Sequence, residues 1–168
     1  IEDLGITTTF SVVMPVYNPP LDYLRQAIES VQAQVYPHWE ICIADDASPN
    51  AAVRELLTEL AAQDPRIKLV FREKNGHISA ATNSALEIAT GDYIALMDND
   101  DLLPPHALAY MALAAHQHPQ AGLIYSDEDK VTEDNVRQAP YFKCQFNYEL
   151  FLSQNMISHF GVYRRSVL

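Results

Sequence analysis

Short apolar runs alternate with segments of helical periodicity along most of the chain. The apolar runs, bounded by turn-forming residues, predict buried strands at residues 10–16, 40–45, 67–71, 93–97 and 123–125. The segments between them carry apolar residues at helical spacing and predict helices at residues 21–34, 51–63, 79–89 and 105–116. Strands and helices that alternate in this way predict an α/β fold, with a mainly parallel sheet covered by helices on both faces.

Each of the first four predicted strands ends in a polar, turn-forming segment. In chain order these segments read PVYNPP, DDASPN, REKNGH and DNDD. Because the carboxyl ends of parallel strands meet at one edge, where open α/β sheets bind their ligands, we expect these segments to converge on one rim. Beyond Ser126 the pattern loosens into a loop that is rich in acidic residues, SDEDKVTEDN, followed by a segment rich in aromatic residues.

The fourth of these segments crowds Asp98, Asp100 and Asp101 together. Carboxylates this close raise one another's pKa unless a positive charge lies among them. Mg²⁺ and Mn²⁺ take oxygen ligands, and they commonly need only one or two carboxylates when a diphosphate supplies the others. The acids are therefore either half of a metal–diphosphate site or an acidic turn in which Asp100 or Asp101 caps the next helix.

The other strand exits carry residues suited to a nucleotide, each with a plainer alternative. Asp46 either accepts hydrogen bonds from a ribose or base, or it caps the following helix, as Ser48 could also do. Tyr17 either stacks on a nucleobase or packs on the helix that follows it. Asn75 and Gly76 are typical of a turn.

Composition and charge narrow the class of protein. A chain of 168 residues with 48% hydrophobic residues is long enough for one domain with a real core. Its net charge of -11 argues against unaided binding to nucleic acid or an anionic membrane, but it allows an anionic ligand bound through a metal ion.

Several common sequence signatures are absent. The two cysteines form no disulfide framework. The sequence has no Gly-x-Gly-x-x-Gly or P-loop motif, which argues against a dehydrogenase or a P-loop NTPase. No apolar run is long enough to span a bilayer, and the start has no signal-peptide pattern.

Taken together, four motifs resemble glycosyltransferase family 2, the inverting nucleotide-sugar enzymes of the GT-A fold. In order and spacing they read VVMPVYN, DDAS, NGHISAATNSALEIATGDYIALMDNDD and LLPPHAL. The later YSDEDK and SQNMISHFGVYRRS look like the bacterial branch that builds O-antigen, rhamnose-containing and other cell-surface polysaccharides. The resemblance implies a Rossmann-like GT-A domain over 1–168, with a nucleotide-binding part at about 10–126 and the start of an acceptor-side part at 127–168.

The resemblance also implies roles for individual residues. The nucleotide-binding residues it implies are Pro15, Val16, Tyr17, Asn18, Asp46, Asn75, Gly76, Asn83 and Asp98. It implies a Mn²⁺ or Mg²⁺ ion on Asp98 and Asp100, with Asp100 in direct contact and Asp98 toward the ribose or sugar. Its implied sugar- or acceptor-side residues are His77, Asp101 and His159. Asp101 has the alternative of holding the motif loop, and His159 that of a structural histidine.

The implied reaction is a single displacement at the anomeric carbon. A general base deprotonates an acceptor hydroxyl, while the metal stabilises the departing nucleoside diphosphate. In the family this base lies downstream of the Tyr-Arg-Arg stretch, so we expect it beyond Leu168 and expect the chain to be an inactive piece of a longer protein. The acids at 127–129 are interpreted as a solvated loop or as acceptor-site residues rather than as the base.

Two departures from the family pattern limit the assignments. FKCQFNYEL stands where this branch more often has a Lys-Pro-Asp-Trp-like stretch, which leaves the acceptor details open. Residues 81–83 read Ala-Thr-Asn where many relatives have Ala-Arg-Asn, so no arginine there is assigned to the diphosphate.

The partners implied are a UDP-, dTDP- or GDP-sugar donor and a glycan or lipid-linked acceptor, with no nucleic acid and no membrane span in this chain. The location implied is the cytoplasm, with the inner face of the membrane as an alternative.

Two other classes of protein stay open. One is a module that holds a sugar nucleotide without turnover. The other is a phospho-acceptor receiver domain, which would need its acidic pair after the first strand rather than at Asp45 and Asp46.

Overall fold

The computed structural model describes residues 5–168. In chain order its elements are β1 (Phe10–Val16), α1 (Leu21–Gln32), β2 (Trp39–Asp45), α2 (Ala51–Gln63), β3 (Ile67–Phe71), α3 (His77–Glu87), β4 (Tyr93–Leu96), α4 (Ala107–Gln117), β5 (Leu123–Tyr125), β6 (Glu128–Val131), β7 (Arg137–Tyr141), α5 (Tyr148–Ser153), β8 (Gly161–Arg164) and a short 3-10 helix (Arg165–Val167). In this part of the chain, no helix is long and apolar enough to cross a membrane. The cytoplasmic location stays a prediction.

A six-stranded sheet in the order β3-β2-β1-β4-β8-β5 forms the centre of the fold. The pairs β1–β2, β2–β3 and β1–β4 are parallel, whereas β8 runs antiparallel to both of its neighbours. This confirms the predicted mainly parallel α/β sheet. The strand order reverses at β1, which has β2 on one side and β4 on the other. Ligands of open α/β sheets bind at such a switch point, outside the carboxyl ends of the strands.

Helices cover both faces of the sheet, as the alternating pattern predicted. On one face, Phe10, Val12 and Met14 of β1 belong to a large buried cluster with residues of α1, α2 and α4. On the other face, Val13 and Cys42 pack with small residues of α3, Ala81 and Ala85. Because alanine side chains are short, α3 lies close to β1 and β2. Its first residues, His77 and Ile78, line the same pocket as the carboxyl ends of these strands.

The predicted boundaries of three helices were wrong by two residues or more. Helix α1 ends at Gln32 instead of residue 34, and α3 spans His77–Glu87 instead of 79–89. Helix α4 begins at Ala107, because the Pro104 and Pro105 carbonyls bond to the Gln34 side chain and the Val35 N–H. These proline residues therefore belong to a loop rather than to the first helical turn.

The larger error concerns the region after Ser126. Residues 128–131, predicted as part of a loop, form β6, which pairs with β7 in a separate two-stranded sheet. The stretch Gly161–Arg164 forms β8, which inserts between β4 and β5. Strand β6 is polar and pairs only with an exposed neighbour, so it lacks the apolar alternation that marks a half-buried strand.

Candidate functional site

The carboxyl ends of the parallel strands open into one pocket of about 460 Å³. Four strand exits contribute to its lining: Pro15, Val16 and Tyr17 from β1, Asp46 from β2, Asn75, His77, Ile78 and Ala81 from the segment after β3, and Asp98, Asn99 and Asp100 from β4. The predicted convergence of these exits on one rim is confirmed. Asn99, Ile78 and Ala81 were not predicted as site residues, although Asn99 lies between two predicted ones.

Hydrogen bonds join the exit of β1 to its neighbours. Asn18 adopts a left-handed backbone conformation (φ 51°), and its N–H donates to Ser48 Oγ at 2.8 Å. The Asn99 side-chain amide donates to the Pro15 carbonyl at 2.9 Å. Ser48 is therefore part of the rim and does not cap α2, which is capped instead by Asn50. Tyr17 remains 53% exposed at the pocket, so its ring is accessible to a ligand.

Asp46 organises the turn that forms the next wall. Its side chain is only 2% exposed, and it accepts hydrogen bonds from Arg72 Nε at 2.7 Å and from the Gly76 N–H at 3.0 Å. Arg72 also donates to the Ala80 carbonyl, and a Cβ at Gly76 would lie only 2.6 Å from Arg72 Nη2. A side chain at Gly76 would therefore displace the Arg72 guanidinium or crowd Ala80. Sequence reasoning missed Arg72, because nothing local indicates that it contacts an acid 26 residues earlier.

The alternative in which Asp46 caps the following helix is wrong, since its carboxylate contacts Arg72 and Gly76 instead. Its proposed contact with a base or ribose remains a prediction. Asn75, which lines the pocket, donates from its side-chain amide to the Asp46 backbone carbonyl at 3.4 Å. The Asp46 carboxylate and the Asn75 side-chain amide thus hold the turn at residues 75–76 against the exit of β2.

Residues 98–101, here called the acidic loop, lie beside an imidazole. His159 Nδ1 is 3.1 Å from Asp101 Oδ2, and His159 Nε2 is 3.9 Å from Asp98 Oδ2. Burial raises the pKa of Asp101; the charges of Asp98 and Asp100 also raise it, whereas His159 acts in the opposite direction. The alternative in which Asp100 or Asp101 caps the next helix is wrong, because the N-cap of α4 is His106.

This group of side chains fits a divalent metal ion. Ligand atoms of Asp98, Asp101 and His159 all lie within 4.8 Å of one another. Two carboxylates and an imidazole form a donor set that Mn²⁺ can use, whereas Mg²⁺ prefers oxygen ligands alone. The predicted pair of Asp98 and Asp100 shares only Asp98 with this group. Asp100 is more exposed and lines the pocket.

The remaining predicted residues lie beside the pocket or away from it. Gly76 and Asn18 shape the rim through their backbones. Asn83 is exposed on α3 and does not line the pocket. It follows the pocket residue Ala81 by two positions, which places it on a different face of the helix.

The acids at 127–129 each have a partner within the β6–β7 region. Asp127 accepts the Lys143 N–H at 2.7 Å, Glu128 accepts Lys143 Nζ at 2.9 Å, and Asp129 accepts Arg137 Nε at 2.6 Å. Glu128 and Asp129 are half-buried residues of strand β6, so the prediction of a solvated loop is wrong for both, and the alternative that these acids are acceptor-site residues stays a prediction. These contacts give the three carboxylates a role in organising the hairpin.

The sequence and fold place this chain in a family. A family model described as Glycosyl transferase family 2 matches residues 11–168, and the chain belongs to that family. It is 36% identical over 158 residues to the O-antigen biosynthesis protein RfbC of Myxococcus xanthus, which covers 94% of this chain and 12% of that protein. The chain spans 17% and 12% of the length of the first two curated relatives it matches.

Solved structures confirm the predicted GT-A fold. The TarS structure from S. aureus in complex with UDP-GlcNAc superposes with a TM-score of 0.76 at 22% identity, covering 95% of this chain and 46% of that one. The mannosyltransferase PcManGT from Pyrobaculum calidifontis, in complex with GDP-Man and Mn²⁺, gives a TM-score of 0.61 at 24% identity over 71% of this chain and 35% of that one. Membership of family 2 removes the receiver-domain alternative.

Proposed function

We propose that this chain forms the donor side of a metal-dependent inverting glycosyltransferase, which moves a sugar from a nucleoside-diphosphate sugar to a polysaccharide or lipid-linked glycan. The observation that carries the proposal is the convergence of four strand exits on a single pocket. The exits of β2 and β4 bring carboxylates to it, and the turn after β3 is held by the carboxylate of Asp46. The names of similar proteins support the chemical classes. RfbC is an O-antigen biosynthesis protein, and the TarS and PcManGT structures contain UDP-GlcNAc and GDP-Man.

In this proposal the nucleoside occupies the pocket between the exits of β1 and β2. The exposed ring of Tyr17 stacks on the base, and the backbone at Pro15 and Val16 forms the adjoining wall. Asp46 at the exit of β2 and Asn75 in the turn after β3 contribute polar groups. Residues of about 10–126 would then form the nucleotide-binding part, and 127–168 the start of the acceptor-side part.

The diphosphate would lie toward the acidic loop. The net charge of -11 and the carboxylates at the pocket disfavour a bare diphosphate, which supports a cation between the protein and the diphosphate. Asp98 and Asp100 would hold Mn²⁺ or Mg²⁺, and ligand atoms of Asp101 and His159 lie within 4.8 Å of one of Asp98. When bound, the metal supplies stabilisation of the negative charge that grows on the leaving nucleoside diphosphate.

Inversion requires a base that deprotonates the acceptor hydroxyl. We assign this role to none of the acids at 127–129, because each already contacts a lysine or arginine residue of the hairpin region. The expectation that the base lies beyond Leu168 stays a prediction. Transfer assays that score sugar transfer and donor hydrolysis separately would distinguish an enzyme from a module that binds the donor without turnover.

Calorimetry tests the donor site without requiring turnover. UDP, GDP and dTDP would each be titrated into the protein in Mn²⁺, in Mg²⁺ and in EDTA. We expect at least one of them to bind, and to bind only with a divalent metal present. Equal affinity in EDTA and in Mn²⁺ would contradict the proposal.

A pair of charge-matched variants tests the assignment of Asp100. Asp100→Asn removes one negative charge at the pocket and should weaken metal-dependent binding by roughly tenfold or more. Asp134→Asn removes the same charge from an exposed position between β6 and β7 and should leave the affinity unchanged. If Asp100→Asn binds nucleotide and metal as well as the unsubstituted protein, Asp100 is not a metal ligand.

A further inference from the structure

A buried lysine lies behind the histidine of the acidic loop. The Lys143 side chain is only 1% exposed, although both of its chain neighbours are exposed. Its ammonium donates to Glu128 Oε2 at 2.9 Å, to the Ile157 carbonyl at 2.6 Å and to the His159 carbonyl. An ammonium group has three donors, and a buried one is strongly destabilising unless they are used. Here all three donors have partners.

Glu128 holds the same histidine from its other side. The oxygen that accepts from Lys143 also accepts the His159 backbone N–H at 2.8 Å. Burial alone would raise the pKa of Glu128, but the hydrogen bonds from Lys143 and from the His159 N–H outweigh it and lower that pKa. The backbone N–H and C=O of His159 are therefore both bound by one ion pair.

The His159 side chain connects this ion pair to the pocket. Its imidazole lies 3.1 Å from Asp101 and 3.9 Å from Asp98, and Asp98 lines the pocket. Neither member of the ion pair lines the pocket itself. The contacts that link this ion pair to the pocket run through His159, and the charge of Glu128 also acts on Asp101, whose pKa it raises.

We propose that Lys143 and Glu128 are a positioning pair, which fixes His159 against the acidic loop and so sets the affinity for the metal–nucleotide complex. This inference rests on the proposed donor site. If the ion pair only attached the β6–β7 hairpin to the segment before β8, its loss would act independently of the His159 imidazole. A positioning pair instead loses its effect once that imidazole is gone, because contacting groups are energetically coupled.

A double-mutant cycle separates these two roles. In calorimetry with Mn²⁺ and the best-binding nucleoside diphosphate, we expect Lys143→Met to weaken binding about tenfold. In the His159→Ala background, the same substitution should change affinity by less than about twofold. Lys130→Met, which removes an exposed lysine from β6 of the same hairpin, is the matched control and should have no effect. A full tenfold loss on top of His159→Ala would overturn the proposal.

Imidazole NMR resonances give a readout that does not depend on nucleotide binding. With ¹⁵N-labelled histidine, Lys143→Met should shift or broaden the His159 ring signals and leave the His106 signals unchanged. Unchanged His159 signals would overturn the positioning role, whether or not a nucleotide binds. If the unsubstituted protein binds no nucleotide, that result contradicts only the proposed function. If Lys143→Met does not fold, Glu128→Gln keeps an acceptor of the same shape and is judged by the same two criteria.

Discussion

Glu40 ties several parts of the sheet together at the end away from the pocket. Its carboxylate accepts hydrogen bonds from Ser11 Oγ at 2.7 Å and from the Thr90 N–H at 2.7 Å, and it forms an ion pair with Lys68 at 2.6 Å. Burial alone would raise the pKa of Glu40, but the hydrogen bonds from Lys68, Ser11 and Thr90 outweigh it and lower the pKa to about 2. The charged form of Glu40 therefore stabilises the fold.

The size of this stabilisation follows from the two pKa values. A glutamate pKa of 4.5 in the unfolded chain and about 2 in the fold corresponds to about 3 kcal/mol at most. The side chain is 15% exposed, so partial screening lowers our expectation to about 2 kcal/mol for Glu40→Gln at pH 7. Because the folded pKa is the lower one, this contribution is complete above pH 4.5 and is lost as the pH falls toward 2.

Urea unfolding followed by circular dichroism, repeated between pH 7 and pH 3, measures this directly. The difference in unfolding free energy between the unsubstituted protein and Glu40→Gln should narrow as the pH falls. Glu59→Gln is a suitable control, because Glu59 is 53% exposed and lies 3.7 Å from Arg25, a surface pair expected to contribute within about 0.5 kcal/mol. A Glu40→Gln variant within about 0.5 kcal/mol of the parent at pH 7, or a gap that does not narrow on acidification, would refute the reasoning.

Three further substitutions test other parts of the structure. Gly91→Ala should lower the unfolding free energy by about 1–3 kcal/mol in urea titrations, because its Cβ would lie 2.7 Å from the Ser11 backbone nitrogen; an unchanged midpoint would mean that the chain relaxes there. Arg72→Met should destabilise by roughly 3–5 kcal/mol in thermal unfolding, since it leaves the Asp46 carboxylate buried without its cation; a neutral effect would contradict the assigned ion pair. Tyr17→Ala should weaken nucleotide binding by roughly 1–3 kcal/mol in calorimetry while Tyr17→Phe keeps it, and equal losses in both variants would argue against stacking.

The features that the sequence predicted well are those with local signals. Strands β1 and β3 match their predicted bounds, because each is a short apolar run ended by a polar turn. The convergence at the pocket follows from chain direction alone, since parallel strands must end at the same edge. The residue types at those ends, among them Tyr17 and Asp98, could therefore be placed together without knowledge of any side-chain contact.

The features that it missed depend on contacts between distant parts of the chain. Strand β8 is only four residues long, and its place between β4 and β5 is decided by antiparallel pairing that has no local signature. Lys143 reads as an ordinary surface lysine until the segment containing His159 folds over it. Arg72 likewise acquires its role only when β3 pairs with β2 and brings it to Asp46.

A paramagnetic ion provides the most direct test of the proposed donor site. In ¹⁵N-labelled protein with UDP, GDP or dTDP present, Mn²⁺ should broaden the amide signals of residues 98–101 and 75–77, because these segments border the same pocket. The amide of Asp134, in the exposed turn between β6 and β7, should stay sharp, and Mg²⁺ should give no broadening. If the broadening instead centres outside the pocket, or no nucleotide changes it, the donor site is not at these strand ends.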